Sequence, residues 1–389
     1  MKVALAHDYL REYGGAERVL EALHEIFPEA PLYTAYVNLS SMGENGKRFK
    51  SWDIRTSWFQ KFPFANKLLS PFRLFAPMMF ESFDFSAYDL VITSAATYSA
   101  KAAITKPEAL HLSYIHTPPR FLYGYTTSFN YKKNPVTRIL GELANHFLRI
   151  YDFEVSQRPD ILVANSKNIQ ERIKKFYRRD SVVIYPPVDI KAFSRPPLRG
   201  PAVVRQSESR KLKADSYFLV LSRLVRGKGV DIVVEACGKL GLPLKVAGTG
   251  PELDNLKNLA VTCNLKPDAF LGWVSDEERI KLLQNAKALI LASEDEDFGI
   301  TGVEAQAAGT PVIAPRSGGF LETVVDQATG LLYGGPGMVT VESLIGVLRE
   351  FREDNFKAEN LRKNAERFSK ERFKKEILEL IEKNLKKDA

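Results

Sequence analysis

The chain has 389 residues, 45% of them apolar, which is too long for one ordinary domain and rich enough for two or three separate cores. Its net charge of +8 and pI of about 9.2 favour anionic partners such as nucleotides, anionic lipid or nucleic acid. Only Cys237 and Cys263 are present, which argues against a disulfide framework and for a reducing compartment, and no apolar run reaches the roughly 18–20 residues that a membrane span requires.

The opening "MKVALAHDYL" has only four apolar residues before His7 and Asp8, too few for a signal peptide, so a cytoplasmic location is expected. "VALA" (3–6) reads as a strand, and "YGGAERV" (13–19) places Gly14 and Gly15 between it and a helix whose Val19, Leu20, Leu23, Ile26 and Phe27 share one face. A glycine pair there lets backbone approach a ligand, although a tight turn needs the same residues. "LYTAYV" (32–37) is the next predicted strand. Residues 47–80 then interleave seven Lys or Arg with nine Phe or Trp and one Asp. That mixture suits an anionic membrane surface or lipid-diphosphate acceptor, single-stranded nucleic acid, or a packed helix pair with snorkelling cations. Strands follow at "DLVITSA" (89–95), "LHLSYIH" (110–116), "ILVANS" (161–166) and "VVIYPP" (182–187). The βαβ rhythm predicts a mostly parallel sheet.

Residues 196–216 are polar, basic and proline-bearing, and read as an interdomain segment. The rhythm restarts with "YFLVLSR" (217–223), "LKVAGTG" (244–250), "AFLGWV" (269–274), "ALILAS" (288–293) and "PVIAPR" (311–316). In "LSRLVRGKGVD" (221–231), Arg223 closes a strand and Lys228 follows in a glycine turn; two cations at a strand's carboxyl end suit a diphosphate, though a solvated surface pair fits as well. "VAGTGP" puts Gly248 and Gly250 in the next strand-to-helix turn. "EDEDFGITGVE" (294–304) combines a glycine turn, a helix start and crowded carboxylates, the setting of a phosphate or sugar site at a sheet's carboxyl edge. Asp295-Glu296-Asp297 is also a D-x-D triplet, two hard carboxylates that would suit a divalent cation. The histidines show no zinc-site spacing. From about residue 341 the chain is helical and charged, with Phe373, Ile377, Leu380, Ile381 and Leu385 as a packing stripe.

Taken together, these motifs resemble the retaining GT-B glycosyltransferases, most closely glycosyltransferase family 4, along essentially the whole chain. The resemblance implies two doubly wound Rossmann-like α/β domains facing across a cleft: residues 1–195 bind the acceptor, 217–365 bind the nucleotide sugar, and a helix in 366–389 crosses back to the first domain. Glu296 and Glu304, in "EDFGITGVE", look like the family's paired glutamates. The resemblance then implies that Glu304 holds the ribose, that Glu296 and the backbone of Phe298, Gly299 and Ile300 hold the sugar, and that the amides of Ile300 and Thr301 face the diphosphate. Arg223 and Lys228 match the phosphate-binding pair, Gly14 and Gly15 the N-terminal glycine loop, and His116 of "YIHTPPR" the histidine near the transferred sugar; Gly248, Gly250 and Val274 complete the expected donor site. Asp297 departs from the family's usual glycine before Phe-Gly, and Ser222 from its usual glycine before the arginine.

The function this implies is metal-independent retaining transfer of a hexose, with mannose from GDP-mannose favoured, to a lipid-linked or oligosaccharide acceptor in surface-polysaccharide assembly. No cofactor beyond the nucleotide diphosphate sugar substrate is expected. Peripheral attachment to the inner face of the cytoplasmic membrane is expected, and nucleic acid is disfavoured as a partner. A GT-B-like nucleotide-sugar epimerase and a non-catalytic nucleotide-sugar or nucleic-acid binding protein are the competing readings.

Overall fold

The computed structural model describes residues 1–65, 74–125, 135–194 and 217–385. The expected interdomain segment 196–216 lies outside the described residues, as do residues 66–73 of the basic aromatic segment. The chain forms two compact units, Met1–Pro187 together with the chain from Lys370 on, and Val188–Ser369.

The first unit is built on a seven-stranded sheet of β1 (Val3–His7), β2 (Leu32–Thr34), β3 (Ile54–Thr56), β4 (Leu90–Ala95), β5 (Leu110–Ile115), β6 (Ile161–Ala164) and β7 (Val182–Val183). Its order is β3-β2-β1-β4-β5-β6-β7 and every pairing is parallel. The order reverses between β1 and β4, so a crevice opens beyond their carboxyl ends, where ligands of open α/β sheets bind. Helices α1 (Gly15–Ile26), α2 (Ala76–Glu81), α3 (Pro135–Ser156) and α4 (Lys167–Tyr177) accompany the sheet. Successive side chains of β1 point to opposite faces. Leu5 therefore packs with Val19, Leu20 and Leu23 of α1 and with Phe373, Ile377 and Ile381 of the C-terminal helix, while Ala4 and Ala6 face Phe59, Met79, Phe80 and Val155.

The second unit has a six-stranded, all-parallel sheet in the order β10-β9-β8-β11-β12-β13. Its strands are β8 (Tyr217–Leu221), β9 (Leu244–Ala247), β10 (Phe270–Gly272), β11 (Ala286–Ile290), β12 (Val312–Pro315) and β13 (Gly330–Tyr333). The helices are α5 (Ile190–Ser194), α6 (Val230–Leu240), α7 (Leu253–Thr262), α8 (Asp276–Asn285), α9 (Ile300–Ala307), α10 (Phe320–Thr323), α11 (Val341–Glu350) and α12 (Ala358–Glu366); α13 (Lys370–Leu385) belongs to the first unit. Here too the order reverses, between β8 and β11. Where the chain enters and leaves this unit, Val188 pairs with Ser369, and the Val188 amide donates to the Phe368 carbonyl at 2.9 Å.

The short strands β3 and β13 were not expected from the sequence. "IRT" sits inside the basic aromatic segment, and "GLLY" is only four residues, so neither shows a period. In that same segment a single reading fails. Phe49, Phe59, Met79 and Phe80 are core residues, whereas Trp58, Phe62, Phe64, Leu74, Phe75 and Met78 are exposed.

Candidate active site

The turn after β8 and the turn after β11 meet at the reversal of the second sheet. Lys228 closes a short helical turn, Arg226–Lys228, and its Nζ reaches Glu296 Oε2 at 2.6 Å. Both side chains are half-buried. They line a cavity of about 40 Å³ with Ser222, Ser293, Gly299, Thr301 and Phe320, room for a few water molecules. Gly299 makes the turn possible: its φ is +89°, and a Cβ there would lie 2.8 Å from the ring of Phe320. The chain then enters α9 with Ile300; the Ile300 and Thr301 amides have no partner within the helix, while the Gly302 amide donates to the Gly299 carbonyl at 2.9 Å. Phe298 turns its ring inward, edge-on to Phe368 at 5.3 Å between centroids, and is buried.

Glu304 lies in the second turn of α9, buried, with Arg279 Nη1 at 3.2 Å from Oε1. Arg279 also pairs with Asp276 and stands over the ring of Phe193. The two glutamates therefore meet different cations. Arg223 is exposed just beyond β8 and does not line the cavity. Gly248 and Gly250 hold the turn after β9 against the turn after β8, where a Cβ on either would lie 1.9 Å from the Ser222 carbonyl oxygen or 2.2 Å from that of Leu224. Val274 is half-buried between β10 and α8. Asp295 and Asp297 are half-buried beside Glu296. Among the described residues no group of three or more His, Cys, Asp or Glu side chains gathers in a metal-holding arrangement.

The remaining candidates lie in the first unit, at the carboxyl ends of β1, β4 and β5. Gly14 precedes α1 in extended backbone, Gly15 is its first residue, and the Gly14 amide donates to Glu17 Oε2 at 2.7 Å. His116 follows β5 and is buried, its Nε2 2.8 Å from Ser94 Oγ and its carbonyl accepting from Asn165 Nδ2. Burial pushes its pKa down to about 3, and the neighbouring His7 adds to the shift. The ring is therefore neutral at physiological pH.

Several site neighbours escaped the sequence reading. Arg279 carries no motif, and only its place one turn after the capping Ser275 hinted at a fixed position. His7 and Ser94 are brought to His116 by sheet register, since His7 stands directly opposite Ser94 in the β1–β4 ladder, and Glu17 reaches His7 from α1; nothing in a linear sequence encodes that pairing.

Two doubly wound parallel sheets, one per unit, define the GT-B fold. HepE of Anabaena, crystallised in complex with UDP-glucose, matches with a TM-score of 0.68 over 98% of this chain and 100% of its own, at 18% identity. Residues 205–368 match the family model of glycosyl transferases, group 1. An uncharacterized glycosyltransferase of Methanocaldococcus jannaschii is 34% identical over 117 residues, 30% of this chain and 33% of the relative. The alpha-1,3/1,6-mannosyltransferase of Rhizomucor pusillus is 28% identical over 214 residues, 44% and 46% of the two chains. The chain thus spans between a third and about half the length of these curated relatives.

Proposed function

We propose that the protein is a retaining glycosyltransferase that moves a hexose from a nucleotide diphosphate sugar to a lipid-linked glycan without a metal ion. The observation that carries the reading is the cavity at the reversal of the second sheet, where Lys228, Glu296 and the first amides of α9 converge within the segment that matches the group 1 family model. A diphosphate needs fixed positive charge, and a lysine with unpaired helix amides supplies it.

In this reading Lys228 takes the diphosphate with Arg223, while the Ile300 and Thr301 amides receive its oxygens. Glu304, held by Arg279, takes the ribose hydroxyls, and Glu296, Gly299 and the Phe298 backbone orient the sugar. Gly14, Gly15 and His116 of the first unit border the sugar, and Gly248, Gly250 and Val274 shape the donor site. The acceptor hydroxyl attacks the anomeric carbon on the face from which the diphosphate departs. The departing oxygen takes the proton, so no protein nucleophile is used. Mannose from GDP-mannose remains the favoured donor, supported by the mannosyltransferase relative. The UDP-glucose complex of the Anabaena protein makes UDP-sugars the competing arm of the test.

The acceptor reading rests on exposed apolar surface in a basic chain. Helix α3 presents Ile139, Leu143, Phe147 and Ile150 as one stripe, with Leu140 beside it, all more than half exposed. Trp58, Phe62 and Phe64 add exposed aromatics. No helix among the described residues is long and apolar enough to cross a membrane. Peripheral binding to an anionic surface, at the inner face of the cytoplasmic membrane, is the proposed mode.

Incubation with a panel of GDP- and UDP-sugars, with and without a membrane lipid extract, tests the reading by nucleotide release. Release that requires the lipid and yields a glycolipid supports it. Acceptor-independent release with an altered free sugar would instead identify an epimerase, and binding without release a non-catalytic protein.

A further inference from the structure

Ser293 follows β11 by three residues and lines the cavity shared by Lys228 and Glu296. It is only 3% exposed, and its hydroxyl oxygen is buried with no hydrogen-bond partner among the described residues. Of the buried polar side-chain atoms left without such a partner, it alone belongs to a residue of this lining. Ser222, the other serine of the lining, differs in that its hydroxyl donates to the Arg223 carbonyl at 3.2 Å.

Backbone packing delivers Ser293 and Lys228 to the same wall. Gly229, with φ of +61°, sets the turn that carries Lys228 against the end of β11: a Cβ there would lie 2.4 Å from the Ala292 carbonyl oxygen. Lys228 and Ser293 are the chain neighbours of those two touching residues. Of the polar side chains of the lining, Ser222, Lys228, Ser293 and Thr301 each carry a proton to give, and Glu296 alone can only accept. Such a wall fits the oxygens of an anion. A buried hydroxyl that finds no partner in the protein is costly unless water or a ligand completes it. The cavity of about 40 Å³ has room for either a water or a ligand oxygen, and the single torsion of a serine lets its hydroxyl turn toward what enters.

We infer that Ser293 is a further binding residue of the donor site, its hydroxyl donating to a phosphate oxygen of the diphosphate beside Lys228. The identity of the ligand rests on the proposed reading of this cavity. Being neutral, the hydroxyl adds a directed bond without setting a second positive charge against Lys228. Its removal breaks no hydrogen bond to any described residue, so the cost of Ser293→Ala falls on binding and not on the fold.

Calorimetric titration with inorganic pyrophosphate, GDP and UDP, beside thermal melts without ligand, tests this. Ser293→Ala should bind pyrophosphate and the preferred nucleotide diphosphate about 10-fold more weakly, and by the same factor, because the lost bond goes to a charged group common to both. Its melting temperature should equal or exceed that of the wild type. Unchanged affinity would leave water as the partner of the hydroxyl and overturn the assignment. A loss seen with the nucleotide but absent with pyrophosphate would put the contact on the nucleoside, and overturns it as well. A lowered melting temperature would mean that the hydroxyl serves the fold, which is equally fatal. Failure of the wider reading has another signature: a protein that binds these anions through Ser293 yet transfers no sugar loses the transferase reading and keeps the anion contact, whereas one that binds none of the three loses both.

Discussion

Glu296 and Glu304 lie in one turn and one helix, yet each faces its own cation, and the pairing predicts how their variants separate. Glu304 is buried against Arg279, and its proposed ligand does not change during reaction. Glu304→Gln should therefore raise the donor KM and weaken binding of free nucleotide diphosphate, with a smaller effect on kcat. Glu296 already holds Lys228 at 2.6 Å, so under the proposed reading it would compete with the diphosphate for that cation. Glu296→Gln should cut kcat strongly while free nucleotide diphosphate binds at least as tightly as before. Calorimetric titration beside steady-state kinetics checks both, and a Glu296→Gln variant that loses nucleotide affinity as Glu304→Gln does would break the assignment. Replacing Arg223 and Lys228 together by alanine should remove roughly 4 kcal/mol of transition-state stabilisation, about a thousandfold in rate. His111 makes a different kind of prediction. Its Nδ1 is buried with no partner among the described residues, and burial pushes its pKa down to about 3. Below its ordinary value near 6.5 the unfolded chain binds a proton that the folded chain refuses, so stability is lost as pH falls from about 6.5 toward 3. His111→Phe should flatten that slope by as much as one proton, about 1.4 kcal/mol per pH unit, in urea titrations at pH 7 and pH 5.

At the scale of elements, the C-terminal helix is where periodicity was most informative. Phe373, Ile377 and Ile381 recur on one face and all three are core residues of the first unit, with Leu380 and Leu385 partly buried beside them. Phe373→Ala should cost about 3–5 kcal/mol, read as a lower urea midpoint. The sheets were legible for a similar reason, because strands of a parallel sheet, buried on both faces, appear as apolar runs between helical patterns. Strand ends were less so: "LYTAYV" pairs regularly only through Thr34, and "VVIYPP" only at Val182 and Val183. The stripe on α3 was missed because the same helix packs through residues such as Leu148 and Val155, and a helix apolar on two sides has no single face to read. Of the candidate site, the glycine turns and the paired glutamates could be read locally. The partners that fix Glu304 and His116, Arg279 in the one case and His7 with Ser94 in the other, depend on which elements neighbour which, and that is decided by tertiary packing. If the α3 stripe meets lipid, Leu143→Gln with Phe147→Gln should lower vesicle binding without lowering stability, since both side chains are exposed already. Sedimentation with phosphatidylglycerol vesicles and a thermal melt measure the two quantities.

For the whole molecule, the charge of +8 would make the proposed attachment to an anionic surface dependent on ionic strength. Anionic vesicles should retain the protein at low salt and release much of it as screening shortens to about 8 Å and below; equal retention by neutral vesicles would contradict the electrostatic part of the reading. Turnover should persist after exhaustive chelation with EDTA if Lys228 and Arg223 neutralise the diphosphate. Activity lost to EDTA and restored by manganese would favour the carboxylate triplet Asp295-Glu296-Asp297 as a cation site.

The pairing of Val188 with Ser369 marks an insertion: one unit is threaded into the sequence of the other. During synthesis, β1 to β7 emerge first but lack Phe373, Ile377 and Ile381, so Leu5, Val19 and Leu20 lose part of their cover until some 180 further residues have been made. At about 5–20 residues per second that interval lasts on the order of ten seconds or more. The inserted unit has its entire sheet available before the interrupted one is whole, and a ribosome stalled on a C-terminal extension that brings Ser369 just clear of its exit tunnel should display a protease-resistant second unit beside a first unit that is still cleaved.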